Sequence, residues 1–501
     1  MIGIKGRKFV ATGSGTDPDP DPQLGNKIRI TVNYSTPVPV GPVGPSAEYA
    51  KLKYDKEILF NLEQDDSKLG FYTVTYPLFK GGFIEQIGET SPGFFIDDGC
   101  GNPVHWRAAI ACFCINSFNG VDMLAGGYPD TIDYDMLTEI AGDDFGIMNH
   151  VYGESAPPDF GGDRFEGMIR LNRKIYTKLK ERGIEYKITT FVTPDIQEGF
   201  VSTIMSGEIK IHVASSQGGM NSKDEYTFTS DNGLLSAVGW PKMGLARNFI
   251  GDTLSTSNWE LKKSFIDSAI NPSTKLNPRI LRMFFHGPGA SNADQIQAFK
   301  LMMEYIKTQG GERLWPCSVH EFYDYKAVQH YATKTEVIDG NKLTILIDLD
   351  TIPDEIRWRD VSLLVNDGGL ESIQVEGADS HSYNLSTGLI NVFKKKTTFI
   401  DPALDFVPPK IVSVVHSGNT AIITYDSPLA VNGLGTQVSG VAAYDIVGNT
   451  ITGISGSGTT WTLTCSGTVS AGNKLWYRMQ RGNAIGTNGH KVCSYKEFPI
   501  T

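Results

Sequence analysis

Cysteine is scarce in this chain, with six in 501 residues. That is too few for a disulfide-stapled scaffold, and no Cys-x-x-Cys pair is present to begin a thiolate zinc site. Basic residues are outnumbered, 45 Lys and Arg against 56 Asp and Glu, for a formal net charge of −11. Such a balance argues against broad electrostatic binding to nucleic acid or anionic lipid. No apolar run approaches the roughly 20 residues of a membrane-spanning helix. Residues 1–10 lack the apolar core of an intact signal peptide. No repeat of 20 to 50 residues is visible. A serine-nucleophile signature is also missing: Gly-x-Ser-x-Gly occurs only as fragments over 453–458, in the wrong register and a β context.

What is there suits a globular chain of two to four domains: 40% hydrophobic, 20% charged, with 54 Gly and 25 Pro for turns. Residues 12–23 read Thr-Gly-Ser-Gly-Thr-Asp-Pro-Asp-Pro-Asp-Pro-Gln, which can form neither helix nor ladder and is expected to be a stiff, solvated tether. A strand is expected over 27–33. From about 51 to 331, short apolar strands alternate with helices. Strands are predicted over 58–62, 109–115, 145–148, 187–192, 209–214 and 281–285, and helices over 134–140, 163–182 and 293–309. In the last helix Ile296, Phe299, Met303 and Ile306 keep a three-to-four spacing, and Gly310-Gly311 stops it. Strands alternating with helices imply a parallel sheet, most economically a β/α barrel. Beyond 331 the pattern is β-only, which predicts two small sandwiches over 332–406 and 407–501, the second immunoglobulin-like. Cys112 and Cys114 share one face of a strand and read as buried apolar residues. Cys465 and Cys493 could pair. Trp461 and Trp476 read as core residues rather than sugar platforms.

Three stretches carry chemistry. An apolar strand over 58–62 runs into Asp65 and Asp66, adjacent carboxylates that can take different jobs: one binds a metal while the other accepts a proton. The alternative is a helix cap for residues 69–79. A second strand ends in Asn149-His150, with Glu154 four residues on, and imidazole plus carboxylate is ordinary ligation for a divalent ion. A third strand delivers His286. In a barrel such strand ends converge at one mouth.

Asp-Asp, then His-x-x-x-ligand, then a strand ending in His resembles the NodB-type polysaccharide deacetylases, carbohydrate esterase family 4, over about residues 51–331. The resemblance implies a distorted (β/α) barrel of the polysaccharide deacetylase type. It also implies Asp65 as base, Asp66, His150 and Glu154 as ligands of a divalent metal (zinc first, with cobalt, nickel or manganese open), and His286 as acid. Trp315–Tyr325 is similar to the closing segment of such domains. The implied reaction is hydrolytic removal of N- or O-acetyl groups from a polysaccharide or oligosaccharide by metal-activated water. The tether resembles those following the lipidated cysteine of surface lipoproteins in Bacteroides-like bacteria. It implies export to the periplasm or cell surface and a lipid anchor in an untrimmed precursor.

Two positions depart from the family pattern. Glu154 stands where a second His is usual, and Val192 stands where an Arg that orients the catalytic Asp is expected, in Phe191-Val-Thr-Pro-Asp195. The missing Arg favours an alternative reading: a catalytically weakened glycan-binding or surface-scaffold protein that keeps the barrel. A second Asp-Asp-Gly, at Asp97-Asp98-Gly99, looks even more like the family's sequence, but its turn chemistry and lack of a following helix set it aside. His105 and Trp106 are expected to pack in the core or at an edge.

Overall fold

The computed structural model describes residues 24–38, 47–113, 121–150, 164–192, 210–217, 243–271, 279–288, 292–405, 407–431, 443–477, 484–492 and 495–501. The tether, Cys114, Glu154, residues 193–195 and Cys493 lie outside them, so the expectations placed there have no structural counterpart.

Eight parallel strands form the central sheet: β1 (Ile58–Gln64), β2 (Ala109–Cys112), β3 (Gly146–Asn149), β4 (Thr190–Val192), β5 (Val213–Gln217), β6 (Met243–Phe249), β7 (Arg279–Phe285) and β8 (Leu314–Pro316). The hydrogen-bonded order is β7-β6-β5-β4-β3-β2-β1-β8, and β7 also pairs with β1 from Arg279↔Ile58 to Phe285↔Gln64. The two ends of the path therefore meet, and the sheet curls back on itself. On its other edge β1 pairs β8 with its first half (Ile58 to Phe60) and β2 with its last (Glu63, Gln64). This mixed α/β arrangement is compatible with a distorted barrel. Six of its strands fall on the predicted runs. Two were not predicted: β6, whose apolar pattern is broken by Gly244, Arg247 and Asn248, and β8, three residues long and ending in Pro316.

The connections are the helices Tyr134–Gly142, Arg164–Lys180, Lys263–Ile270 and Ala293–Gly310. The last shows why its sequence folds as it does. Asn292 caps it by accepting from the Gln295 N–H. Ile296, Phe299, Met303 and Ile306 are all fully buried, each contributing roughly 1.5–3 kcal/mol of burial. Gly311, at φ 54° in the left-handed region, ends it.

Two four-stranded antiparallel sheets follow the curled parallel sheet, and each recruits a strand from before it. Lys27–Tyr34 sits between Lys342–Asp348 and Leu370–Glu376, and Ala47–Tyr49 borders Val361–Val365. In Lys27–Tyr34 the alternation is clean: Ile28, Ile30 and Val32 are fully buried while their neighbours are half-buried. Two further sheets cover 411–499, linked by the Tyr425 and Tyr444 hydroxyls at 2.9 Å. Trp461 is buried, with its Nε1–H donating to the Gly458 carbonyl, and Cys465 is a free buried thiol. Among the described residues no helix is long and apolar enough to cross a membrane.

The second Asp-Asp-Gly is a turn. Phe95–Asp97 and Pro103–His105 pair as a hairpin. Buried Asp98 accepts from the Cys100 and Asn102 N–H groups and from the Ser382 hydroxyl, which ties the hairpin to the following β region. Trp106 is fully buried, edge-on to Phe60, Phe79 and Phe94.

Candidate functional site at the mouth of the parallel sheet

Side chains alternate along β1, so Asn61, Glu63 and, one residue past its end, Asp65 share one face. Arg247 of β6 and Arg282 of β7 meet that face. Arg247 makes a fork to Asp65, with both nitrogen–oxygen distances at 2.6 Å, and a third contact to Glu63 at 3.3 Å. Arg282 donates to the other oxygen of Glu63. All four are buried. Two carboxylates and two guanidiniums form a charge-balanced ladder, the arrangement in which buried ions are tolerated. The Arg247 guanidinium also lies over the Phe284 ring, 3.9 Å from its centroid.

The chain turns sharply after Asp65. Asp66 and Ser67 both take left-handed φ values, 66° and 52°, unfavourable for side-chain-bearing residues by on the order of 1–2 kcal/mol each. Stitching to β2 holds them there. The Ser67 N–H donates to the Ala111 carbonyl, and its hydroxyl both donates to the Phe113 carbonyl and accepts from the Phe113 N–H. The following segment is helical from Leu69 to Lys80, with a π-helical stretch over Phe71–Thr75, and the Asp65 and Asp66 carboxylates face Arg247 and His150 instead of its first N–H groups. Asp65 and Asp66 are thus not cap residues. The left-handed pair sends Asp66 away from the Arg247 ladder and toward two histidines.

His150 directly follows β3. Its N–H donates to the Cys112 carbonyl and its ring Nδ1 lies 3.0 Å from the Val192 carbonyl. That bond makes Nδ1 the donor to the carbonyl, and Nε2 lies 3.3 Å from Asp66 Oδ1, to which it donates when the ring is charged. The residue at 192 therefore serves through its backbone. His286 follows β7 and lies on the other side of Asp66, with Nε2 3.8 Å from Oδ2. Its Nδ1 contacts both oxygens of Asp252, at 3.0 and 2.9 Å, and its backbone N–H donates to the same carboxylate.

The electrostatics follow from these contacts. Burial opposes the charged form of Asp66, but the His150 hydrogen bond and the nearby His150, His286 and Lys68 outweigh it and hold its carboxyl below the usual range. Burial likewise opposes charge on His150, and hydrogen bonding to Asp66 together with the two aspartates raises its pKa nonetheless. At His286 the Asp252 hydrogen bond comes first and, against burial, raises the pKa. In metal-free Asp252→Asn protein the His286 pKa, followed by NMR, is therefore expected to fall, with His150 little changed. An unmoved His286 titration would show that Asp252 does not set its charge.

Of the expected site residues, Asp65, Asp66, His150 and His286 meet at the C-terminal mouth, and Glu154 lies outside the described residues. Among the described residues no group of three His, Cys, Asp or Glu side chains is close enough to hold a metal. Asp66 and His150 supply two donors of the right chemistry, one short of the three protein ligands usual at a catalytic zinc. Two further residues belong here that the motif reading missed. Asp252 had a signal of the kind used elsewhere, a strand leading through Phe249-Ile250-Gly251 to a carboxylate. The position of Val192 holds no Arg, as the sequence shows, and the guanidinium that forks Asp65 comes from β6 instead.

One close approach sets the spacing of the mouth. A Cβ on Gly70 would lie 1.9 Å from the Pro288 carbonyl oxygen, two residues past His286. Gly70→Ala is expected to cost about 1–3 kcal/mol by overpacking, seen as a lowered melting temperature. An unchanged melting temperature would show that the two loops separate freely.

No family model and no curated protein matches this chain. Among solved structures it is similar to a polysaccharide deacetylase from Bacillus cereus, with 10% identity, a TM-score of 0.29, and coverage of 53% of this chain and 94% of that one. It is similar also to a putative polysaccharide deacetylase from Mycobacterium smegmatis, with 11% identity, a TM-score of 0.30, and coverage of 58% and 94%. A gamma-CGTase from alkalophilic Bacillus clarkii is a third, with 9% identity, a TM-score of 0.25, and coverage of 90% and 84%. Likenesses this distant decide no activity.

Proposed function

We propose that this protein is a hydrolase that removes N- or O-acetyl groups from a polysaccharide or oligosaccharide, using water activated at a divalent cation. The observation that carries the reading is the constellation at the sheet mouth. One aspartate is locked by an arginine fork, and its neighbour sits between a tautomer-fixed histidine and a carboxylate-backed histidine.

Asp66 and His150 are the proposed donors to the cation, with Glu154 as third. Zinc is first choice and cobalt, nickel or manganese are open. Such an ion, when bound, polarises a carbonyl and makes a water more acidic. Asp65 is the base. Each of its oxygens accepts one N–H of Arg247 and keeps a second lone pair for the water's proton, and the fork prevents the carboxylate from rotating. The water oxygen forms a bond to the acetyl carbon, and the bond from that carbon to the sugar nitrogen or oxygen breaks. His286 gives its proton to the departing atom, the direction in which the Asp252 carboxylate biases it. The Arg247 fork on Asp65 supports turnover over a scaffold that has lost it. Export to the periplasm or cell surface accompanies this reading, through the Asp-Pro tether.

The test is metal analysis of the purified full chain, followed by acetate release from acetylated chitooligosaccharides and acetylated xylan. Acetate release that is lost with chelator and restored by zinc supports the proposal. Protein that releases no acetate from either substrate with any of the four metals overturns it.

A further inference from the structure

Asp252 aims His286, yet it stands on an open loop. Its side chain is 48% exposed, and it follows Gly251, whose φ of 92° turns the chain out of β6. A carboxylate so placed has many orientations open to it, whereas aiming a proton donor requires one. Three ties fix the loop. Asn258 accepts from the Ser255 N–H and donates to the Thr253 carbonyl. Asp294 accepts from the Thr256 N–H and hydroxyl. Both of these ties lie at or near the surface. The third comes from a buried side chain and falls on Asp252 itself: Gln295, 7% exposed, donates an Nε2 hydrogen to the Asp252 carbonyl.

The same amide reaches the other half of the pair. A Cβ on Gly287, the residue after His286, would lie 3.2, 3.3 and 3.3 Å from Gln295 Nε2, Cδ and Oε1, so the amide rests against the Gly287 backbone. Gln295 is held in turn from behind. It belongs to the first turn of the helix Ala293–Gly310, its N–H donates to the Asn292 cap, and Ile296 and Phe299 beside it are fully buried. One planar group anchored to a packed helix therefore touches both the loop of Asp252 and the loop of His286.

We propose that Gln295 is a positioning residue for the His286 acid. It holds the Asp252 backbone where both carboxylate oxygens reach His286 Nδ1, and it acts on the chemistry only through Asp252. The role of His286 as acid rests on the acetyl-hydrolase reading; the hold on the pair rests on geometry alone.

The test uses the full chain and Gln295→Met, which is similar in size and lacks the donor. Two readouts are taken. Deuterium uptake at the His286 amide, which donates to Asp252, is followed by mass spectrometry in metal-free protein and is expected to quicken about fivefold, the loss of one hydrogen bond. On acetylated chitooligosaccharide kcat is expected to fall about tenfold or more with KM within about twofold, as for a group that matters only in the transition state. In an Asp252→Ala background the same substitution is expected to change kcat by less than about twofold, because the group it positions is already gone. Should Gln295→Met fail to fold, Gln295→Asn, which keeps the amide one methylene short of the loop, takes its place with the same expectations. An unchanged kcat overturns the proposal whatever the uptake. An equal loss in the Asp252→Ala background overturns it too, since Gln295 would then act by a route that bypasses Asp252. A wild type that releases no acetate defeats the hydrolase reading instead, and uptake then decides the hold on the pair: quickened exchange supports it, and unchanged exchange overturns it.

Discussion

Asn in place of Asp65 is expected to lower acetate release by about 10²–10⁴-fold, the usual size of a general-base contribution. The substitution keeps the shape of the side chain but removes the site to which the water's proton goes. It also replaces one acceptor oxygen of the Arg247 fork with an NH₂ group, which faces a guanidinium N–H with no acceptor between them. The amide is thus expected to turn or the fork to open. For that reason kcat/KM on acetylated chitooligosaccharide is to be read beside a melting curve. A folded variant with its activity gone identifies Asp65 as the group that takes the proton. A folded variant retaining more than a tenth of wild-type activity would remove Asp65 from the mechanism.

The second large effect concerns Arg247. Truncation to Ala leaves Asp65 and half of Glu63 facing a void where a guanidinium stood. Removing one partner of a buried ion cluster costs about 3–5 kcal/mol, since the remaining charge is neither solvated nor paired. The loss would appear as a lower urea midpoint for the transition that reports the barrel. Arg247→Lys is expected to recover only part of it, because an ammonium cannot span both oxygens of Asp65 and contact Glu63 at once. A destabilisation below about 1 kcal/mol would mean that water enters the ladder and replaces the fork.

Much of the architecture was legible because it depends on local periodicity. Each predicted parallel strand is a short apolar run, and Asp65, His150 and His286 stand out as polar residues directly after such runs. The same logic failed at β6. Its adjacent residues Arg247 and Asn248 point to opposite faces of the sheet and both are buried, so a buried strand that carries polar side chains does not look apolar. The carboxylate that Arg247 grips follows a strand two places away in the curled sheet and 182 residues away in sequence, and no local window contains both. The alternative of a helix cap at Asp65 and Asp66 rests on the good capping chemistry of Asp-Asp-Ser. The structure uses Ser67 to grip Phe113 instead, a tertiary contact that overrides local preference. The helix expected over 69–79 is present from Leu69 to Lys80, with a π-helical stretch over Phe71–Thr75 and Pro77 in the α-helical turn that follows. The hairpin at Asp97 and Asp98 was readable because turn residues act through their immediate neighbours.

The strand Lys27–Tyr34 has a bearing on biosynthesis. Both of its neighbours in the sheet are segments that leave the ribosome long after it does, Lys27 matching Asp348 and Arg29 matching Glu376. Until then its row of isoleucine and valine has nothing to lie against, and both its edges offer open backbone to any passing chain. Its ring closure spans the whole barrel, so the cost is met only once the intervening region has condensed and shortened the distance. A strand translated well before both its partners is thus among the last to be locked in place, and its docking would report that everything between has been made correctly.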